Sequence, residues 1–250
     1  MKAMIFAAGL GTRLKPLTDN MPKALVPVLG KPLLEHVIEK LKSAGFDEII
    51  INIHHFGEQI IEFVESKNNF GIHIEFSDER KKLLDTGGAI KKASWFINED
   101  ESILIHNVDI LSDINIAEVY NQHLQNNAMA TLVVSDRQTF RYLLFDENDN
   151  LQGWINEKTG ETKSPLQNFT PLNYKKLAFS GIHVLSADAL KLMKEWPDKF
   201  SIIDFYLFIC NKKVVQSYES NESSMIDVGK LDSLKKAEEF LQSQRPRKST

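Results

Sequence analysis

Hydrophobic positions in the first half of the chain fall into blocks of two kinds. Residues 3–8 and 49–53 are short and almost wholly apolar, as expected for strands buried on both faces of a parallel sheet. Between them, apolar side chains recur at helical spacing from Leu33 to Ala44, and Gly45 suits the end of a helix. The pattern therefore predicts a strand, a helix and a second strand in succession.

The same alternation continues to about residue 106. The next predicted elements are a helix around Ile60, Ile61 and Val64, a strand at 71–76, a helix that begins near Gly87, and a strand at 102–106. This order predicts an α/β fold with a doubly wound, mixed but mostly parallel sheet and helices on both faces. Ligands of such folds gather at the C-terminal ends of the strands.

After about residue 128 the pattern becomes less regular. The predicted elements are strands at 131–134 and 142–145, a polar surface excursion at 156–176, a strand at 177–185, helices near 186–195 and 202–211, a strand at 214–218 and a helix at 231–242. We predict one domain over residues 1–243, in which 1–127 and 128–243 bind different ligands. The basic residues of 244–250 predict a disordered tail.

Composition narrows the class of protein. Among 250 residues, 30 Lys and Arg stand against 34 Asp and Glu, and this balance argues against a chain built to hold nucleic acid. The single cysteine, Cys210, excludes an intramolecular disulfide and a multi-cysteine zinc site. No apolar run approaches the ~20 residues that cross a bilayer, and the first residues are unlike a signal peptide. We expect a cytoplasmic protein, a monomer or weak homodimer, without nucleic-acid or membrane partners.

A glycine-rich loop directly after the first predicted strand is the strongest chemical signal. It contains Gly9 and Gly11 and ends at Arg13, and Lys23 follows ten residues later, after Pro22. Backbone N–H groups of such a loop can approach phosphates without interference from a Cβ atom. The spacing matches neither the P-loop nor the dinucleotide-binding fingerprint. The two cations nevertheless predict a phosphate site at this loop.

This loop and five later segments resemble the sugar-1-phosphate nucleotidyltransferase family. The matching segments are 9–13 with Pro22-Lys23, then 84–89 (Leu-Asp-Thr-Gly-Gly-Ala), 107–109 (Asn-Val-Asp), Glu157-Lys158, 179–182 (Phe-Ser-Gly-Ile) and 226–229 (Ile-Asp-Val-Gly). The resemblance covers nearly the whole chain. It implies a Rossmann-like, GT-A-type fold whose first half binds a nucleotide and whose second half binds a sugar phosphate.

The resemblance also implies a role for each matched residue. Catalytic roles fall to Arg13 and Lys23, nucleotide binding to Ala8, Gly9, Gly11, Thr12, Gly87 and Gly88, sugar-phosphate binding to Glu157, Lys158 and Gly181, and Mg²⁺ binding to Asp109 and Asp227. In the implied reaction, a sugar-phosphate oxygen attacks the α-phosphorus of a nucleoside triphosphate and pyrophosphate leaves. The protein mainly positions two polyanions and neutralises charge, and carboxylates suit a hard ion such as Mg²⁺.

The predicted substrates are UTP and N-acetylmuramate 1-phosphate, because the chain resembles the short uridylyltransferases of this family. Backbone amides of Ala8, Gly87 and Gly88 would read the uracil, and Lys158 or Lys176 would meet the lactyl carboxylate. Alternatives are a mannose- or heptose-1-phosphate guanylyltransferase, a phosphocholine-type cytidylyltransferase, and a non-catalytic nucleotide-sugar-binding paralogue. A glycosyltransferase of related fold is a further alternative.

Four residues carry expectations of their own. Asp85, at a strand-to-helix turn, is equally consistent with a helix N-cap and with a ligand contact. Val108 replaces the glycine that the family usually has before the metal aspartate, and a β-branched residue there requires an ordinary negative φ. Trp95 and Phe96 are expected to close the core beneath a helix.

Overall fold

The computed structural model of the protein describes residues 1–220 and 224–244. Its strands are β1 (Lys2–Phe6), β2 (Pro27–Val28), β3 (Lys31–Pro32), β4 (Glu48–Ile53), β5 (His73–Asp78), β6 (Ile103–Asn107), β7 (Ile110–Ser112), β8 (Ala130–Ser135), β9 (Arg141–Phe145), β10 (Leu151–Asn156), β11 (Glu161–Lys163), β12 (Lys175–Leu185), β13 (Val215–Glu219) and β14 (Met225–Asp227). Its helices are α1 (Leu33–Ser43), α2 (Gly57–Ser66), α3 (Asp85–Ala93), α4 (Ile116–Asn126), α5 (Ala187–Met193), α6 (Ile202–Ile209) and α7 (Leu231–Ser243).

One sheet runs through both halves of the chain. In the described residues it has ten strands along the path β11-β10-β9-β12-β6-β1-β4-β5, with β8 beside β12 and β13 beside β8. Strands β5, β4, β1 and β6 are parallel, and β12 is antiparallel to β6 and so joins the halves. Phe6 at the end of β1 lies level with Asn52 in β4 and Asn107 in β6. The ends of three neighbouring strands therefore meet at one edge.

Helices cover both faces of the sheet, because the parallel strands are apolar on both sides. In β1, Ala3 and Ile5 belong to one apolar cluster and Met4 belongs to the other. Helices α1, α2, α4 and α7 pack on the first cluster, and α3, α5 and α6 pack on the second. The predicted α/β class, with a mixed sheet between two helix layers, is confirmed.

The predicted elements lie close to their observed positions, but helix α4 (Ile116–Asn126) and strand β10 (Leu151–Asn156) were not predicted. The excursion predicted at 156–176 contains strand β11, which pairs with β10 to form a hairpin next to β9. Trp95 does not close the core, because it is 62% exposed, whereas Phe96 is buried as expected. Gln244 ends the described part of the chain, so the rest of the tail predicted at 244–250 lies outside the described residues.

A transmembrane helix needs about 20 mostly apolar residues. Within residues 1–220 and 224–244, none of the helices combines the length and the apolar character that a transmembrane span requires.

Candidate active site

The glycine loop leaves the end of β1 and turns sharply at Gly11. Gly11 has a φ of +64°, and an added Cβ would lie 3.0 Å from the side chain of Thr18 and 3.1 Å from Cβ of Lys23. The hydroxyl of Thr18 donates to the carbonyl oxygen of Gly11 over 2.8 Å. At Gly9, by contrast, no described heavy atom lies within 4 Å of such a Cβ. The loop is therefore tightly packed at Gly11 and open at Gly9.

Lys23 contacts Asp109, the residue that the family resemblance predicts to bind the metal ion. It begins a 3₁₀ turn after Pro22, and its side chain is almost completely buried. Its ammonium forms an ion pair with the carboxylate of Asp109, which follows the end of β6. Each charge offsets the cost of removing the other from water. A predicted catalytic cation and a predicted metal ligand are thus in direct contact.

Arg13 and Asp227 meet at Gly229. A Cβ added to Gly229 would lie 2.7 Å from Oδ1 of Asp227 and 2.9 Å from Nη2 of Arg13. The guanidinium makes no hydrogen bond or ion pair within the described ranges. Arg13 therefore keeps all its donors available, and a guanidinium fork matches phosphate oxygens in pairs.

Asp109 and Asp227 are brought together by a short two-stranded ladder. Strands β7 and β14 are antiparallel, with Asp227 opposite Ile110, and the N–H of Val228 donates to the carbonyl oxygen of Asp109 over 2.8 Å. In the part of the chain that the structure describes, no group of three or more His, Cys, Asp or Glu could hold a metal. Two carboxylates nevertheless fit Mg²⁺, which keeps several waters and takes phosphate oxygens from its substrate.

A cavity of about 270 Å³ opens at the edge where β1, β4 and β6 end. Its lining residues are Phe6, Ala7, Ala8, Gly9, Lys23, Asn52, Glu79, Leu83, Asp85, Thr86, Ala89, Asn107, Val108 and Asp109. Arg13 and Asp227 line a second cavity of about 340 Å³. Thr12 lines neither of these two cavities and starts a 3₁₀ turn. Val108 has no positive φ, as its β-branched side chain requires.

Gly87 and Gly88 do not present free amides to a base, contrary to the expectation. Their N–H groups donate to the carbonyl oxygen of Phe200 over 2.9 and 3.3 Å. A Cβ would lie 2.2 Å from the Phe200 ring at Gly87 and 2.1 Å from the Asp198 carbonyl oxygen at Gly88. The two glycines thus allow α3 to approach the segment before α6. The N–H of Ala8 is also engaged, by Oδ1 of Asn52 over 3.3 Å.

A buried hydrogen-bond network stabilises the part of the cavity wall formed by Ala7, Asn52 and Glu79. The sequence motifs did not indicate this network. Oδ1 of Asn52 accepts from the N–H of Ala7 over 2.7 Å, and its amide donates to Oε1 of Glu79 over 2.8 Å. Oε2 of Glu79 accepts from the N–H of Leu84 over 3.1 Å. The signal for Asn52 was a polar residue inside an apolar strand, but Glu79 lies in a charged run without any such signal.

Of the residues predicted to bind the sugar phosphate, Gly181 lies beside the cavity, whereas Glu157 and Lys158 do not. Gly181 lies beside the cavity, since a Cβ there would be 2.5 Å from the amide of Asn107; its φ is +73°. Glu157 and Lys158 lie in the turn between β10 and β11 and do not line the cavity. Glu157 pairs with Lys176 over 2.8 Å. The structure therefore does not bring this pair to Asp109.

His106, in β6 next to Asn107, is fully buried. Its Nδ1–H donates to the carbonyl oxygen of Asn107 over 2.8 Å, and Nε2 has no partner within the described residues. Burial lowers the pKa of His106 to about 4. His106 is therefore neutral at physiological pH and adds no charge to the site.

A family model described as nucleotidyl transferase matches residues 2–244, nearly all of the described chain. The chain belongs to this family. The two curated relatives named below carry a sugar 1-phosphate in their names. The chain is 41% identical over 120 residues to N-acetylmuramate alpha-1-phosphate uridylyltransferase of Neisseria meningitidis serogroup B, covering 48% of this chain and 52% of that protein.

Other relatives carry a different nucleotide in their names. Mannose-1-phosphate guanyltransferase of Yarrowia lipolytica is 36% identical over 137 residues, covering 54% of this chain and 38% of that protein. The crystal structure of HddC from Yersinia pseudotuberculosis complexed with GMP-PN has a TM-score of 0.75 at 25% identity, covering 96% of this chain and 99% of that one. The chain spans about half the length, or less, of the curated relatives it matches.

Proposed function

We propose that the protein is a sugar-1-phosphate nucleotidyltransferase, which joins a nucleoside triphosphate to a sugar 1-phosphate and releases pyrophosphate. One observation carries the proposal: Arg13 and Lys23, which follow β1, lie close to Asp109 and Asp227, which come from distant parts of the chain. Two cations and two carboxylates are what a reaction between two phosphate groups requires. Membership of the nucleotidyl transferase family supports the same reaction class.

Each residue then has a physical task. The open backbone at Gly9 admits the triphosphate, and Arg13 neutralises the charge that develops on the leaving pyrophosphate. Lys23, a compact point charge, holds the α-phosphate and the attacking sugar phosphate in line. No general base is needed, because the attacking phosphate oxygen already carries negative charge. The buried network of Asn52 and Glu79 keeps the loop fixed against α3.

Asp109 and Asp227 would hold Mg²⁺. When bound, a divalent ion of this kind polarises phosphoryl oxygens and offsets charge in the transition state. The two aspartates supply the hard oxygen ligands that it prefers. We also propose that residues 1–243 act as one domain, in which 1–127 bind the nucleotide and 128–243 bind the sugar phosphate.

For the substrates, we propose UTP and N-acetylmuramate 1-phosphate. Support comes from the relative of Neisseria meningitidis, which is named for this reaction and matches about half of the chain. The guanyltransferase of Yarrowia lipolytica and HddC with its guanine nucleotide support a second candidate, a sugar-1-phosphate guanylyltransferase. The amides expected to read uracil donate to groups within the protein, so they do not favour uracil over guanine.

The test crosses UTP, GTP, CTP and ATP with a panel of sugar 1-phosphates, including those of N-acetylmuramate, glucose, mannose and heptose. Chromatography and mass spectrometry identify the nucleotide sugar, and pyrophosphate is measured in parallel. We expect one pair, with UTP, to exceed the others clearly. A preference for GTP with mannose or heptose 1-phosphate would overturn the substrates and leave the reaction class standing. Nucleotide-sugar binding without any turnover would identify a non-catalytic paralogue.

A further inference from the structure

Besides Asp109, the carboxylates of Glu79 and Asp85 line the cavity. Of these two, Asp85 alone has an oxygen without a partner in the described part of the chain. Both oxygens of Glu79 accept hydrogen bonds from the scaffold, from Asn52 and from the N–H of Leu84. In Asp85, Oδ1 accepts from the N–H of Thr86 over 2.6 Å. Oδ2 of Asp85 has no partner within the described residues. Asp85 is also exposed at the cavity wall.

The backbone at Asp85 would suit glycine better than aspartate. Its φ is +63°, in the left-handed region where an L residue with a Cβ is strained and glycine is not. Aspartate tolerates this region better than most residues because its side chain can hydrogen-bond locally, as Oδ1 does here with the N–H of Thr86, but this bond does not use Oδ2. An acidic side chain at such a position is most simply explained by a task of the carboxylate itself.

Asp85 is held in place by its neighbours. The hydroxyl of Thr86 accepts from the N–H of Ile202 at the start of α6 over 2.9 Å, and this bond fixes the first turn of α3. The backbone approach of Gly87 and Gly88 to the segment before α6 fixes the same turn from the other side. The carboxylate is therefore presented to the cavity by a rigid element, as a recognition group should be.

We propose that Asp85 is a specificity-determining residue that accepts a hydrogen bond from a donor of the nucleoside, either a base N–H or a ribose hydroxyl. A carboxylate accepts and does not donate, so its ligand partner must be a donor. It also repels phosphate, so it orients the nucleotide with its triphosphate toward Arg13 and Lys23 and its nucleoside toward α3. This inference rests on the proposed function.

The experiment measures equilibrium binding by calorimetry for the wild type, Asp85→Asn and Asp85→Gly. The probe is UTP or GTP, whichever binds the wild type more tightly. Its 2′-deoxy and 3′-deoxy analogues and the analogue methylated at the base N–H (N3 of uracil or N1 of guanine) identify the donor. Asparagine keeps an acceptor and tolerates a positive φ, whereas glycine removes the acceptor and relieves the backbone.

We expect the wild type to bind one of the three analogues roughly 10- to 100-fold more weakly than the parent nucleotide, as for a lost hydrogen bond to a charged group. Asp85→Gly should bind the parent and that analogue with equal, reduced affinity, and Asp85→Asn should fall between. Thermal melting shows whether each variant remains folded. Loss of stability without a change in analogue discrimination would show a purely structural cap and overturn the proposal.

Two further outcomes separate this inference from the proposed function. If the wild type binds the parent nucleotide but discriminates none of the three analogues, the role of Asp85 is overturned and the reaction class stands. If neither UTP nor GTP binds the wild type, the proposed function fails, and the role of Asp85 fails with it.

Discussion

Lys23 and Asp109 are paired with each other in the structure, although the proposed reaction needs each of them for a different partner. Lys23 has to reach phosphate oxygens, and Asp109 has to reach a metal ion. Arg13, which has no ion-pair partner in the described ranges, needs no such exchange. The two cations are therefore expected to differ in how their replacement affects metal binding at Asp109.

Replacing Arg13 or Lys23 by alanine should reduce turnover much more than it reduces folding. Each change removes a preorganised charge that acts mainly in the transition state, so kcat/KM should fall by roughly 10²- to 10⁴-fold. Lys15→Ala is the matched control, since Lys15 lies in the same loop but is exposed and paired with Asp19. Steady-state pyrophosphate release measures the effect. Folded variants with near wild-type turnover would show that the assignment is wrong.

Lys23→Met should also change metal binding in the absence of nucleotide. The ammonium of Lys23 and a divalent ion compete for the carboxylate of Asp109, so removing the ammonium should tighten Mn²⁺ binding, by roughly five- to a hundredfold. Electron paramagnetic resonance of free Mn²⁺ measures this affinity. Asp109→Asn is the reference and should weaken binding. Equal Mn²⁺ affinity in Lys23→Met and the wild type would contradict the competition.

For single residues, the sequence predicts which charged side chains form the site better than it predicts which groups form hydrogen bonds with each other. The resemblance to the nucleotidyltransferase family placed Lys23 and Asp109 in one site, and their residue types suit phosphate and metal. It did not show that the amides of Gly87 and Gly88 face Phe200, because that contact depends on how α3 packs against a segment over a hundred residues away. Glu79 was missed for the same reason.

Glycine allows close packing of the backbone in helix α3, whereas in the glycine loop it leaves the backbone open. In α3 a Cβ at Gly88 would lie 2.1 Å from a backbone carbonyl oxygen, whereas Gly9 borders open space. The order of the main strands and helices up to β6 was predictable, because buried parallel strands are continuous apolar runs, whereas helix α4 was not predicted. The β10–β11 hairpin was not, since Glu161 to Lys163 of β11 are exposed and carry no hydrophobic pattern.

Gly88→Ala and Gly9→Ala should therefore separate packing from binding. Gly88→Ala should lower the free energy of unfolding by about 1–3 kcal/mol, because the methyl group overpacks a fixed backbone contact. Gly9→Ala should leave stability unchanged but weaken nucleotide binding by roughly 10- to 100-fold, because the methyl group displaces the phosphates. Urea unfolding and calorimetry measure the two effects. A destabilised Gly9→Ala, or an unaffected Gly88→Ala, would contradict these packing assignments.

Three histidines are buried within the sheet and its helix layers, and they couple the stability of the whole molecule to pH. Burial lowers the pKa of His106 and of His123 to about 4 and that of His183 to about 3. His183 is hydrogen-bonded to the hydroxyl of Tyr206, and His123 to that of Thr131. An unfolded histidine has a pKa of about 6.5, so the unfolded chain binds more protons below that pH.

The free energy of unfolding should consequently be greatest above about pH 6.5 and fall as the pH drops toward the folded pKa values. At pH 5 the loss is about 2 kcal/mol for each buried histidine. Urea unfolding at pH 7.5 and pH 5 measures the difference. His123→Gln removes one titrating group and should make the loss smaller by about 2 kcal/mol. A difference that is the same in His123→Gln and the wild type would show that His123 does not contribute.

Transfer of a nucleotidyl group to a sugar 1-phosphate at this site can be followed by ³¹P NMR of the wild type with Mg²⁺, a nucleoside triphosphate and the sugar 1-phosphate preferred in the substrate screen. We predict that pyrophosphate and nucleotide sugar appear in a one-to-one ratio, only when both substrates are present, and not with Asp109→Asn. Release of phosphate or pyrophosphate from the triphosphate alone, or equal turnover by Asp109→Asn, would show that this site does not catalyse the proposed transfer.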